Sequence, residues 1–497
     1  MLLLLLLLSI SLAKERFSVK LSNVSAESFA LEHNLKHIAR VLDYDIFESD
    51  NLHLLLSSSN LPTIHHDTKR KLYKRYYTRY SDPLYPSQWH LKTIGETSEY
   101  TGRGVVIGIV DDGIQHTHPD IHDNYLASSS WDYNDNDSDP MPYREDGHGT
   151  SAAGVAAAVQ NNVCGRGVAF KARLAGIRLL GGNVYDYQEA QALTHDVGKI
   201  NIYSNSWGPQ DDGMHLEKPG PVTEAGLKQG YQKGKIYVWA GGNGRQALDR
   251  SDYDGYASSR YVIAIGAVDH LGHQAYYSEP GACLFAVAPS SGGQKGITTT
   301  DLMGPYGYSQ TECTNSFGGT SSAAPLAAGI FAVLLELNPK FNLRDIQHLI
   351  YKTRTENSHE MGFGVLNLPR LIEEAKRHVS PLPEAKEYWT EKSKDGKFVI
   401  PTKMGFIERV MLVASITHGR RGQLGLIMYS PSGQKSVFSE LHNDLHRGSF
   451  NWVYQSVRHF GEKNEAGQTW EVKMEDLVPN DNYVGSVDSL QLGFIYF

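Results

Sequence analysis

Cysteine is scarce: the chain has three, Cys164, Cys283 and Cys313, in 497 residues. That excludes a disulfide-dense scaffold, and in an oxidising compartment one bridge plus one leftover thiol is the simplest arithmetic. Long apolar runs are also few. MLLLLLLLSISLA opens the chain and is followed at once by Lys14, Glu15 and Arg16, so residues 1–13 read as a secretory signal peptide, too short to span a bilayer comfortably. No second run of spanning length follows, so no transmembrane segment is expected after it. Excess positive charge is missing as well: a net charge of −8 speaks against nucleic-acid binding. No G-x-G-x-x-G follows the first strand of the expected sheet, which disfavours a dinucleotide enzyme, and no internal repeat is visible.

What is present is 40% hydrophobic and carries 48 glycines, the composition of a folded protein with a sizeable core. Residues 17–64 alternate short β-like runs (FSVKL, LHLLL) with one helix-like stretch, AESFALEHNLKHIARVL, as in a small α+β unit. HHDTKRKLYKRYYTRY then reads as an exposed basic linker. From about 100 to 375, apolar strands such as VVIGIV, IYVWA and YVIAIGAV alternate with helix-like segments, which implies a parallel sheet covered on both faces. Beyond about 385, short runs (KFVIP, RVMLVASI, LGLIMYS, WEVKM, SLQLGFIYF) between Gly, Pro, Asn and Asp turns imply a β-sandwich.

Three segments carry chemistry. GVVIGIVDDGIQHTHPD is a run of β-formers that stops on two aspartates, Asp111 and Asp112. DGHGTSAAGVAAAV starts a small-residue helix at His148, and GGTSSAAPLAAGIFAVLLEL places Ser321 just before a long helix. A serine hydroxyl needs an imidazole base, and that imidazole needs a carboxylate to fix its tautomer. The order Asp, His, Ser on an α/β chain is that of subtilisin. Asn243, after the strand IYVWA and among glycines, is a candidate donor to an oxyanion.

VDDGIQHTHPD, DGHGTS, NSWGPQDDG, AGGNG, DGYASS and GGTSSAAPLAAG together resemble the kexin/furin-type proprotein convertases, a branch of the subtilisin-like serine proteases. The resemblance implies a small α+β inhibitory propeptide over 14–75, an α/β subtilisin-like parallel-sheet catalytic domain over 76–380 and an all-β sandwich, the P domain, over 381–497. It implies calcium-dependent cleavage of precursors after paired basic residues, in the Golgi, a secretory vesicle or outside the cell, by a monomer. It also implies that the propeptide is removed by self-cleavage after Lys74-Arg75 and inhibits the enzyme before release. His65 and His66 are candidates for sensing acidity during release, although exposed histidines are common.

Neighbouring side chains at a strand end point opposite ways, so the two aspartates can serve different partners. The resemblance gives Asp111 to the histidine and Asp112 to the second basic residue before the cleaved bond. It places Asp211 and Asp254 in the first pocket, around an arginine, and counts Trp207 and Gly208 among the substrate-binding residues. Glu189 and Glu217 match positions in more distant basic pockets. Glu145 stands where relatives carry an aspartate in the second pocket, with Asp146 able to help. For calcium, the resemblance implies one site on Asp132, Asp137 and Asp139, a second on Asp82, Asp120 and the loop near Asn161, and a third on Asp211, Asp249 and Glu279. It pairs Cys164 with Cys313, and Asn136 begins the glycosylation sequon that remains after processing.

Two other readings stay open on the residues alone. A degradative protease of broad specificity would not need Asp112, Asp211 and Asp254 together. A non-catalytic relative would usually have lost one of Asp111, His148, Asn243 and Ser321.

Overall fold

The computed structural model describes residues 15–21, 24–41, 44–49, 64–67, 82–479 and 485–497. The chain divides into two units, Met1–Arg79 and Tyr80–Phe497.

The first unit is a four-stranded antiparallel sheet in the order Lys36–Val41, Tyr44–Ser49, Glu15–Val19, Ile64–Asp67. The helix Ala26–Glu32 packs on it through Phe29, which meets Phe47 and Val19 in a small core. The expected single helix over AESFALEHNLKHIARVL is corrected here. It stops at Glu32, Asn34 turns the chain at φ 52°, and KHIARV pairs as a strand with Tyr44–Ser49. Asp45 explains part of that choice, because its buried carboxylate takes His37 at 3.1 Å and Arg40 at 3.7 Å from the same strand. LHLLL and the basic linker, with Lys74 and Arg75, lie outside the described residues, as do the side chains of His65 and His66.

The second unit begins with a seven-stranded parallel sheet in the order Leu284–Pro289, Ile263–Val268, Ile236–Ala240, Ile202–Asn205, Val106–Asp111, Arg173–Arg178, Trp131–Asp132. Period-two alternation decides its faces. Ile107 and Ile109 join the core beneath the helices His148–Ala157 and Thr320–Leu337, whereas Val110 joins Ile177, Leu193 and Leu227 beneath Asp186–Leu193 and Pro221–Gln232. By the same parity Asp111 falls on the side of the first helix pair. Ile330, Phe331 and Leu334 on the helix Thr320–Leu337 are fully buried, worth roughly 2–3 kcal/mol each. Among the described residues this helix alone is long and apolar enough to cross a membrane, and 83% of it is buried inside the protein.

The chain ends in a sandwich of two antiparallel four-stranded sheets. One runs Lys386–Trp389, Gly485–Tyr496, Ile407–His418, Gly448–Ser456; the other runs Lys397–Ile400, Gln468–Asp476, Leu424–Tyr429, Lys435–Ser439. It joins the parallel-sheet part through buried charge. Arg458, 1% exposed, donates to the carbonyls of Leu284, Ser358 and Gly362, and Glu408 takes Arg344 and His348 at 2.7 Å each. Cys164 and Cys313 form a disulfide, and Cys283 is a buried free thiol.

Candidate active site

Asp111 ends the strand Val106–Asp111, and His148 opens the helix His148–Ala157. His148 Nδ1 lies 2.9 and 3.0 Å from the two oxygens of Asp111, which is 1% exposed against 28% for the ring. Burial pushes the His148 ring down, but the charge and hydrogen bond of Asp111, with Asp112 adding, outweigh it and lift the ring to about 9. The edge-on face of Phe317 closes one side of the imidazole at 5.4 Å.

Asp112 has partners within the protein that the sequence does not announce. The strand ends one residue earlier and the chain turns, so Asp112 Oδ2 accepts the backbone N–H of His148 at 3.1 Å and Oδ1 that of Gly149 at 2.7 Å. It caps the helix whose first residue Asp111 holds by the ring. Gly149 is required by this approach, since a Cβ there would lie 2.3 Å from the Gly113 carbonyl and 2.9 Å from Asp111 Cβ. Burial, then the Asp111 charge, raises Asp112 to about 7 despite these N–H bonds.

A residue the sequence reading missed supports this pair. Arg178, paired in register with Asp111 and fully buried, donates from Nε to the Asp112 carbonyl at 3.2 Å. Its other nitrogens reach Asp132 at 2.7 Å, Asp135 at 3.2 Å and Asp146 at 3.7 Å, and its guanidinium lies 4.2 Å over the Tyr143 ring. Asp146 is thus engaged with Arg178, while Glu145 is exposed, at φ 77°.

Ser321 stands inside the first turn of Thr320–Leu337, one residue further in than expected. Gly319, at φ 71°, makes the entry to that helix. Asn243 Oδ1 accepts from the Thr320 N–H at 2.7 Å and the Thr320 hydroxyl at 3.0 Å, which turns Nδ2 toward Asp211 Oδ2 at 3.3 Å. His148, Asn243 and Ser321 line one open cleft with Tyr308 and Phe317. Among the described residues no hydrogen bond joins the Ser321 hydroxyl to His148, a contact that commonly tightens only on substrate binding. Ser206 donates to the Ser321 carbonyl at 3.0 Å, and Ser290 donates to the Gly319 carbonyl at 2.6 Å.

Acids gather on one side of this cleft. Asp211 is exposed and accepts the Asn243 N–H at 2.9 Å. Asp254, partly buried, backs onto Gly208, where a Cβ would lie 2.9 Å from its carboxylate; burial drives it up to about 8, with Asp211 and Asp249 adding. Trp207 packs on Trp239 and Tyr256, with ring centroids 4.6 and 5.3 Å away. Glu189 accepts the Tyr256 hydroxyl at 2.8 Å and the Thr223 hydroxyl at 3.3 Å, and the exposed Glu217 pairs by its backbone with Asp254.

Among the described residues no three His, Cys, Asp or Glu side chains already converge as a metal cage. The three expected calcium sets differ in fit. Asp120 and Asp82 are 0% and 2% exposed, and both Asp120 oxygens and Asp82 Oδ2 are buried without a hydrogen-bond partner. Burial, then Asp82, raises Asp120 to about 8; Asn161 donates its N–H to Asp82 Oδ1 at 2.6 Å. Orphaned carboxylate oxygens of this kind suit a hard cation. Asp211, Asp249 and Glu279 also stand close: they accept the N–H groups of Asn243, Gly213 and Gly244, and burial with mutual repulsion pushes Glu279 well up and Asp249 to about 6. Asp132, Asp137 and Asp139 fit less well. Arg178 takes Asp132, the Asp139 N–H takes Asp137, and His116 takes Asp139 at 2.9 Å.

Residues 102–365 match the Subtilase family, and residues 407–494 match the Proprotein convertase P-domain. Human proprotein convertase subtilisin/kexin type 7 is 38% identical over 472 residues, covering 83% of this chain and 59% of the relative. Furin of Bos taurus is 34% identical over 468 residues, covering 84% of this chain and 58% of the relative. The chain therefore spans less than two thirds of the length of these relatives. A serine protease of Aeromonas sobria, at 21% identity and a TM-score of 0.73, covers 84% of this chain and 96% of its own, and shows the shared fold.

Proposed function

Because this chain belongs to the subtilase family, with the P domain of proprotein convertases behind its parallel-sheet part, we propose that it is a calcium-dependent serine endoprotease that cleaves precursor proteins after paired basic residues. The observation that carries this reading is the His148–Asp111 contact at 2.9 and 3.0 Å in a cleft that Ser321 and Asn243 also line.

Ser321 Oγ attacks the scissile carbonyl carbon as its proton passes to His148 Nε2. Asp111 holds Nδ1–H and stabilises the imidazolium. The carbonyl oxygen becomes an oxyanion and takes hydrogen bonds from Asn243 Nδ2 and from the helix start at Ser321. His148 then gives its proton to the leaving amine, and water repeats the sequence on the acyl-enzyme. Surplus carboxylates select the substrate. Asp211 and Asp254 suit the donor fork of an arginine before the cleaved bond, and the residue preceding it brings a second cation to Asp112. When bound, calcium supplies positive charge that offsets buried carboxylates, with Asp82, Asp120 and Asn161 holding one ion and Asp211, Asp249 and Glu279 another.

The same proposal makes 1–13 a leader, 14–75 an inhibitory propeptide released by cleavage after Arg75, 76–380 the catalytic domain and 381–497 the P domain. It places the protein in the secretory pathway lumen or outside the cell. The test is turnover of matched peptides ending in Lys-Arg, Ala-Arg and Ala-Leu, with and without calcium, beside Ser321→Ala. Preference for Lys-Arg, lost on chelation and in the variant, is expected. Equal rates would support the broad-specificity reading, and an inactive wild type the non-catalytic one.

A further inference from the structure

The carboxylates assigned to the basic pair account for only part of the groove around Ser321. The cleft that holds His148, Asn243 and Ser321 has a volume of about 440 Å³, and four of its lining residues are aromatic: Tyr276, Tyr277, Tyr308 and Phe317. Among the described lining residues there is no Asp, Glu, Lys or Arg. This stretch is therefore apolar and uncharged, unlike the side that carries Asp211 and Asp254.

The proposed chemistry says which part of a substrate meets it. The departing amine takes its proton from His148 Nε2, so the residue that carries this amine lies beside the neighbours of the ring. Phe317 stands edge-on to that ring at 5.4 Å, and Tyr308 lies 6.0 Å from Phe317. Tyr308 is exposed and Phe317 is buried; in the same way the exposed Tyr276 meets the buried Tyr277 edge-on at 5.1 Å.

Tyr308 is presented on an organised loop, residues 301–312, between the strands Ile297–Thr300 and Cys313–Phe317. The buried Asp301 carboxylate accepts the N–H groups of Leu302 at 2.9 Å, Tyr308 at 3.0 Å and Ser309 at 2.7 Å. Gly307 is required there, since a Cβ would lie 2.3 Å from Asp301 Oδ1. The Met303 N–H reaches the Gln115 side chain at 2.7 Å, and Arg144 lies 4.9 Å over the Tyr306 ring. On the other pair, the Tyr277 hydroxyl donates to the Ser291 carbonyl at 2.7 Å.

A bland account exists, because single exposed tyrosines are ordinary on a protein surface. It does not explain two exposed rings, each backed by a buried aromatic, in the cleft that holds the nucleophile.

We infer that this stretch receives the side chain immediately after the cut bond, and that it favours an aromatic or long aliphatic residue there. The inference rests on the proteolytic reading and adds a substrate class to it: precursors in which the basic pair is followed by an apolar residue. Rings offer such a side chain both contact area and edge-to-face pairing, whereas a charged side chain would lose water there without gaining a partner.

The test is kcat/KM for peptides with Lys-Arg fixed before the cut and Phe, Leu, Ser or Asp after it, in the wild type, Tyr308→Ala and Tyr308→Phe. Phe and Leu should exceed Ser by about fivefold or more, with Asp slowest. Tyr308→Ala should bring the Phe-to-Ser ratio close to one, and Tyr308→Phe should keep it. A second series varies the residue before the Lys-Arg pair, and Tyr308→Ala should leave its order unchanged. Equal rates for all four following residues, with cleavage after Lys-Arg intact, overturn the inference alone. So does an effect of Tyr308→Ala confined to the second series, which would put the aromatic stretch on the other side of the cut. A wild type that cleaves no peptide removes the proteolytic reading itself, and this inference with it.

Discussion

The Asp112 carboxylate accepts the backbone N–H of His148 at 3.1 Å, so both members of the aspartate pair act on the same residue. Asp111 orients the ring and Asp112 anchors the main chain that carries it. The carboxylate that the proposed function gives to an incoming cation thus also sits at the start of the helix His148–Ala157.

That double duty separates two substitutions. Asp112→Asn keeps one acceptor oxygen for the helix N-terminus, and Asp112→Ala keeps none. Denaturant unfolding of the calcium-loaded protein is expected to show a loss of about 1–2 kcal/mol for the alanine and clearly less for the asparagine. Equal losses would mean that the cap contributes nothing.

The pH dependence has a definite sign. The base is the neutral imidazole, and His148 sits at about 9, so the acid limb of kcat/KM for the free enzyme lies on the alkaline side of neutrality. Asp112 is one of the charges that raise it, so Asp112→Asn should move that limb to lower pH. A limb that stays put would sever the link between the two residues. For stability, the ring is raised above its ordinary 6.5, so the Asp111 attraction is fully present below that value and is lost as pH rises through about 9.

Calcium should matter more at high pH. Asp120 is raised to about 8 by burial and by Asp82, so without a cation its proton stabilises the fold at low pH, and that contribution is lost as pH rises through about 8. The gain in Tm on adding calcium to stripped protein should therefore be larger at pH 8 than at pH 5.5, and smaller in Asp120→Asn. An equal gain at both pH values would remove this pair from the metal account.

Asn243→Ala should lower kcat by about 100- to 1000-fold, as for loss of an oxyanion donor. Thr320→Val removes only the hydroxyl that holds Asn243 Oδ1 at 3.0 Å and so should cost on the order of tenfold in kcat with KM little changed. A fall confined to KM would place Asn243 in substrate binding.

Arg458 ties the sandwich to three carbonyls of the parallel-sheet part. Arg458→Ala leaves those acceptors buried and should cost about 3 kcal/mol of stability, read as a lower Tm, with kcat unchanged at low temperature. An unchanged Tm would show that the two parts stand independently.

Much of this site was legible because it is local. The alternation of VVIGIV sets which face Asp111 shares with the two small-residue helices, and GTS before a long apolar run marks Ser321. What escaped depends on contacts far apart in the chain. Strand parity says only that Asp111 and Asp112 can serve different partners; it does not reveal that the strand ends at Asp111 and that the Asp112 carboxylate also meets a helix start. Arg178 had a signal that went unused: a charged residue closing the apolar run RLAGIR is as anomalous as the paired aspartates. The helix expected over 26–42 failed because its periodicity was real only to Glu32, after which β pairing to Tyr44–Ser49 and the buried Asp45 prevail.

The central claim is that carboxylates beside the nucleophile create the demand for two cations. Its most direct measurement is the ratio of kcat/KM for Lys-Arg over Ala-Arg peptides in the wild type and in Asp112→Asn. The ratio should be well above one in the wild type and fall by about tenfold or more in the variant. A ratio that Asp112→Asn leaves unchanged would contradict the account.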